Sequence, residues 1–154
     1  MNKKTLLFLF LIFVFAGGLT AAALSGRGFW EKDGLKTIII GQEKIRVGLA
    51  ITAAEREKGL SGLASMADDE GLLFVFDSYN RPYFWMNGMR FPLDIIWIRD
   101  DKVVGWEKNL LPPEKGAKAV YYQAPELVNH ALEVNAGWAE KNHLKIGAEV
   151  KIEL

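Results

Sequence analysis

The stretch FWMNGMRFPLDIIWI, Phe84 to Ile98, sets ten large apolar side chains in fifteen positions and interrupts them twice, at Asn87-Gly88 and at Pro92-Leu93-Asp94. Ile95 to Ile98 is a short apolar run without alternation, the pattern of a buried strand, and Pro92-Leu93-Asp94 forms the corner that leads into it. Tyr83 to Met86 reads as an earlier strand. Asn87-Gly88 then reads as a tight turn, because Asn and Gly tolerate the positive φ that short hairpins require. Pro92 follows so soon that only Met89 to Phe91 remain to pair, so a hairpin and a plain corner both stay open here. Ile95 to Ile98 belong to a core. A site, if this region holds one, is expected between Trp85 and Asp94.

Outward from this stretch the chain keeps to short strand patterns. Ile38 to Ile40 and the alternating Ile45, Val47, Leu49, Ile51 flank GQEK and read as a hairpin with one face inward. Thr52 with Glu55 forms a capping box and Gly59 a stop, which predicts a helix over 53–58. GLLFVF at 71–76 is apolar on both faces, as in a strand covered on both sides. Ile95 to Ile98 and Val103 to Trp106, separated by RDDK, form another hairpin pattern, and Pro112-Pro113 with Gly116 mark a loop over 109–118. Ala131 to Val134 reads as a strand, GWAEKN as a short helix and Glu149 to Leu154 as a closing strand. The expected fold is mainly β (α+β): a compact, partly barrel-like sheet of seven or eight short strands with two short helices. One globular domain over 36–154 follows a linker over 26–35.

Residues 1–25, MNKKTLLFLFLIFVFAGGLTAAALS, have a different character. Lys3 and Lys4 precede the apolar run Leu6 to Ala16, and Ala21 and Ala23 are spaced as a cleavage pair, the layout of a secretory signal. An uncleaved anchor is the competing reading, since the nineteen residues Leu6 to Leu24 would span about 28 Å as a helix. Both leave the lysines in the cytoplasm and export the domain. The expected location is therefore anchored in the membrane, or secreted or periplasmic.

The totals narrow the function classes. Nineteen basic and nineteen acidic residues cancel, so no net field favours nucleic acid. Cysteine is absent, which removes disulfides, thiolate metal sites and a Cys nucleophile. His130 and His143 lack the close spacing of a helical metal pair, and Asp68-Asp69-Glu70 lacks the alternating ligands of a calcium loop, reading instead as a solvated turn. No metal or other cofactor is implied. GLSGL at 59–63 is not a nucleophile elbow.

GLSGL at 59–63, GLLFVF at 71–76, FWM at 84–86, FPLDIIWI at 91–98 and ALEVNAGWAEKNHLKIG at 131–147 occur in an order and spacing that resemble domain of unknown function 192. The resemblance covers about residues 38–154. It implies a compact, largely β domain, often exported or anchored in prokaryotes, with no established activity. The chain departs from the family pattern at Leu72, where a Met is frequent, at Asn87, where a Lys is frequent, and at Gly147-Ala148-Glu149, where Gly-Asp is frequent. A ligand contact made by that Lys or Asp in relatives would be missing here.

Two carboxylates lie among apolar residues and need partners. Asp94 either accepts backbone N–H groups in its own turn or pairs with a cation such as Arg81 or Arg90 at a pocket rim. Glu133, in ALEVN, would act with Asp94 as acid and base on a glycosidic bond if the strands brought the two together. Trp85, Tyr83, Tyr79 and Trp138, with Met86 and Met89, form either core or a groove for a ligand or partner. The expected ligand-binding set is Trp85, Met86, Arg90, Asp94, Glu133 and Trp138, with no catalytic residue. The reading is an accessory binding or interaction module of the cell envelope. Its alternatives are an envelope glycan hydrolase using Asp94 and Glu133, and a structural partner domain in an envelope complex. The partner is an unidentified envelope ligand or protein, or the membrane itself through an uncleaved N-terminal segment.

Overall fold

The computed structural model describes residues 34–153, so the signal and anchor readings made for 1–25 lie outside the described residues. The strands are β1 (Lys36–Ile40), β2 (Glu43–Ala50), β3 (Glu70–Asn80), β4 (Tyr83–Trp85), β5 (Leu93–Arg99), β6 (Lys102–Leu110), β7 (Tyr121–Gln123), β8 (Val128–Asn135) and β9 (Val150–Glu153). Two short helices, α1 (Ala53–Lys58) and α2 (Trp138–Lys141), complete the fold. It is mainly β, as expected from the short apolar runs. Seven strands form one sheet in the order β6-β5-β8-β3-β2-β1-β9, and β4 and β7 form a separate pair. Within the large sheet β2 and β3 alone run parallel, joined by the crossover that carries α1.

The large sheet curls until its edges touch. Val103 N–H donates to Ala148 O at 3.0 Å, Gly147 N–H to Val103 O at 2.7 Å and Val150 N–H to Asp101 O at 2.8 Å. These bonds use donors and acceptors that an open edge would leave to pair with other chains. The curl makes an inner core of Ile38, Ile45, Val47, Leu73, Ile96, Ile98, Leu132 and Val134. A second core lies on the opposite face of β3, β5 and β8, built from Leu72, Phe74, Leu93, Ile95, Trp97 and Ala131 and covered by Leu60, Met66, Phe84 and Met86. Two covered faces explain why β5 is apolar without alternation: Leu93, Ile95 and Trp97 enter one core while Ile96 and Ile98 enter the other. At Gly71 an added Cβ would stand 2.8 Å from Glu133 O, so only glycine lets β3 approach β8 this closely.

Local signals hold where they are self-contained. Helix α1 carries the full capping box: Glu55 N–H donates to Thr52 Oγ1 at 3.2 Å and Thr52 N–H donates to Glu55 Oε2 at 2.8 Å. The Asp68-Asp69-Glu70 turn is more than solvated, because Arg46 pairs with Asp69 and Glu70, each at 3.0 Å.

At Asn87-Gly88 the hairpin alternative does not form. Met89 N–H closes a turn onto Met86 O at 3.2 Å, but β4 pairs with β7, through Tyr83 with Gln123, Phe84 with Tyr122 and Trp85 with Tyr121. The turn is clamped from elsewhere: Ser61 Oγ donates to Asn87 O at 2.8 Å, and Gly62 N–H donates to Gly88 O at 3.0 Å. Phe84 fixes β4 over the sheet, edge-on to Phe74 at 4.7 Å and to Trp97 at 5.2 Å between ring centroids.

Candidate ligand cavity at Glu133

Alternation along β8 decides which way Glu133 points, and alternation along β5 does the same for Asp94. Glu133 lies across from Leu72 on β3 and Ile95 on β5, both outer-core residues, so its side chain enters the outer face. Asp94 lies across from Val134, an inner-core residue, and points to the other side of the sheet. The two are near neighbours along the ladder yet separated by it. They do not meet on one glycosidic bond, which removes the geometry that the hydrolase alternative requires.

Asp94 is fully buried and its partners are distant backbone groups rather than its own turn or an arginine. Asn109 N–H donates to Oδ1 at 2.8 Å, Gly137 N–H to Oδ1 at 3.1 Å and Ala139 N–H to Oδ2 at 3.0 Å. One carboxylate thereby ties the end of β6 and the first turn of α2 to β5. Arg81, one of its expected cations, instead donates from Nε to Ala124 O at 3.0 Å. Arg90, the other, is exposed.

Glu133 stands in the opposite situation. It is 5 % exposed, and its Oε2 finds no hydrogen-bond partner among the described residues. Burial pushes its carboxyl up to about 8, so at neutral pH the group holds its proton. It borders a cavity of about 200 Å³ whose other walls are Phe74, Phe76, Pro82, Tyr83, Phe84, Trp85 and Met89, with Gly59, Leu60 and Ser61 on the α1 side. Gly59 sits at φ 48° and ψ −136°, and a Cβ there would stand 3.9 Å from Glu133 Oε2 and 3.5 Å from Phe74 Cζ. Glycine at the helix stop therefore keeps this side of the cavity open.

Arg56 and Lys58 border the same cavity with Glu57. The Arg56 guanidinium is committed elsewhere: it donates to Ile51 O, donates to Val75 O at 3.0 Å, approaches Asp77 at 3.7 Å and lies over the Phe76 ring at 5.8 Å. Ser61 spends its hydroxyl hydrogen on Asn87 O at 2.8 Å.

Of the expected set, the fold brings Trp85 and Glu133 together in this cavity. Trp85 is 46 % exposed and stacks on Tyr121 at 5.8 Å with planes 10° apart. Met86 is buried beneath β4 and faces a neighbouring groove of about 160 Å³ with Leu111, Pro113, Val120 and Tyr122. Trp138 belongs to the inner core and borders a depression at the barrel end with Ile40 and His143. Tyr79 is exposed and bonds Asp100. Gly59, Ser61 and Phe76 were not expected at the site. Gly59 read only as a helix stop, and nothing local shows that β4 will cover it. Among the described residues no group of three or more His, Asp or Glu is placed to hold a metal ion.

The curled sheet, its second covered face and this cavity define a β-rich protein in which, among the described residues, a buried acid without a partner for its Oε2 borders an aromatic-walled pocket. Residues 36–152 match the family described as Uncharacterized ACR, COG1430, and the chain belongs to this family, domain of unknown function 192. No curated protein sequence matches the chain. A candidate transcription regulator from Sinorhizobium meliloti 1021 is similar in structure, with a TM-score of 0.71 at 25 % identity over 77 % of this chain and 94 % of that one. A protein of unknown function from Novosphingobium aromaticivorans DSM 12444 is similar with a TM-score of 0.70 at 28 % identity over 76 % of this chain and 84 % of that one.

Proposed function

We propose that the chain is a ligand-binding accessory module that works on the outer side of the cytoplasmic membrane, held there or released by its N-terminal apolar segment. The observation that carries the binding reading is the Glu133 carboxyl, buried without a partner for Oε2 at the edge of an aromatic-walled cavity. A polar group kept in such a place costs stability, and a bound molecule that satisfies it returns that cost as affinity. Ligands of this site carry an apolar body that lies against Tyr83, Trp85 and Phe76 and one polar group that reaches Glu133. The export part of the proposal rests on Lys3, Lys4 and the apolar residues that follow. A transcription-regulator role, the one named for the Sinorhizobium relative, finds little support as direct nucleic-acid binding by this chain, whose nineteen cations and nineteen anions balance.

A fragment screen by two-dimensional NMR tests the binding reading. Hits are expected to move the amides of Gly59, Ser61 and Glu133 together and to weaken in Tyr83→Ala. A screen whose hits leave these amides in place contradicts it. An alkaline phosphatase fused after residue 154 tests export, with activity expected in cells; an inactive fusion that becomes active only on lysis contradicts it.

A second reading, a partner domain in an envelope complex, draws on Leu111, Val120 and Tyr121, which are 69 %, 59 % and 59 % exposed beside the Met86 groove. Under that reading Leu111→Asp abolishes co-purification of a partner while the Glu133 cavity keeps its ligands.

A further inference from the structure

We infer that the Glu133 cavity selects a small organic cation, an ammonium group on an apolar body, that pairs with the buried carboxyl. This rests on the binding reading above and adds the chemical class of the ligand.

Three features separate a cation from the other classes. The groups set against the carboxyl on its own strands and at the helix stop are apolar, Leu72 and Ile95 across the strands with Phe74 and Gly59 in the cavity wall, while Arg56 and Lys58 stand at the rim. Among the described residues no lysine or arginine forms an ion pair with Glu133, and its Oε2 accepts no hydrogen bond. An ammonium N–H supplies both the charge and the donor that this oxygen lacks.

The walls favour the same class. Phe74, Phe76, Tyr83, Phe84 and Trp85 line the cavity that Glu133 borders, and aromatic rings attract a cation beyond what they offer a neutral group. Phe76 already carries one cation, Arg56, at 5.8 Å. An anion would meet the opposite conditions: it would approach a carboxyl, and the Arg56 guanidinium bonds Ile51 O and Val75 O and pairs with Asp77.

Charged and titratable groups near the cavity do not cancel this preference. Helix α1 contributes Arg56, Glu57 and Lys58 at the rim, β3 contributes Asp77, which faces Arg56, and β4 contributes the Tyr83 phenol. On β6, Glu107 lies across from Ile95, two strands from Glu133. Two cations and two anions at the α1 and β3 rim offset one another, and the acid at the floor decides.

The exchange is balanced: a neutral carboxyl and a free cation become an ion pair, and one proton leaves to the buffer. At pH 7 the carboxyl holds a proton to release, since burial raises it to about 8. Binding of a cation therefore strengthens as pH rises toward that value.

The test compares benzylammonium with benzyl alcohol, which keeps the ring and loses the charge, on the full chain and on its Glu133→Gln variant. Calorimetry at pH 7 in two buffers of different ionisation enthalpy reads affinity and proton release together. Benzylammonium is expected to bind at least about tenfold more tightly than the alcohol and to release close to one proton per ligand. Glu133→Gln, which keeps the shape of the site, is expected to abolish the proton release and most of the preference. If the alcohol binds as well as the cation while moving the Gly59 and Ser61 amides, the cation inference fails and the binding reading stands. If neither moves these amides, both fail.

Discussion

Glu133 and Asp94 show how differently two buried carboxyl groups contribute to one fold. Glu133 has a folded-state value raised from 4.5 to about 8 by burial. Below 4.5 both folded and unfolded chains hold the proton; between 4.5 and 8 only the folded chain does, so stability falls as pH rises through this window and levels off above it. Glu133→Gln is therefore expected to match the parent near pH 4 and to exceed it near pH 9 by at most roughly 5 kcal/mol. Urea unfolding at the two pH values measures this, and a difference that does not grow with pH contradicts it. Asp94 is held by three backbone N–H groups. Asp94→Ala leaves these donors buried and unmatched, with an expected loss of about 3 to 5 kcal/mol by urea unfolding, while Asp94→Asn loses less. The sequence shows that both groups need partners. It does not show who the partners are, because Gly137 and Ala139 lie more than forty residues from Asp94 and reach it only after β8 has crossed beside β5.

At the scale of elements, signals that close within a few residues were readable. The hairpin of β1 and β2, the capped helix α1, the hairpin of β5 and β6 and the closing strand β9 each follow from periodicity and turn chemistry. The strand at Tyr83 was readable as well, but its partner was not: β7 has three residues and follows a proline loop, so it carries too little pattern to announce itself. Asn87-Gly88 left a local hairpin and a plain corner both open, and the loop at Ser61-Gly62 holds the turn as a corner. Since Phe84 is what fixes β4 to the outer core, Phe84→Ala is expected to cost about 3 to 5 kcal/mol. Amide exchange at Tyr122, its ladder partner, should quicken more than exchange at Leu132; equal changes at both positions would contradict a local anchoring role.

For the whole molecule, the mainly β class and a partly closed sheet were expected from many short apolar runs, and the curl through Val103, Gly147 and Ala148 realises them. The second covered face was harder to foresee. Unalternating strands at 71–76 and 95–98 indicate burial on two sides, but they do not say that β4, β7 and the segment after α1 form the lid. That lid makes the cavity, and with it the site. The expected ligand set joined residues by their neighbourhood in sequence, whereas the sheet sorts Glu133 and Asp94 to opposite faces and leaves Trp85 and Glu133 together.

The carboxyl carbon of Glu133, followed by NMR as pH is raised from 4 to 10, tests the site most directly. A midpoint near 8 is expected in the free protein, moving down when benzylammonium is present. A midpoint near 4.5, unchanged by any ligand, would mean that the carboxyl is solvated like an ordinary surface glutamate, and it would contradict the site.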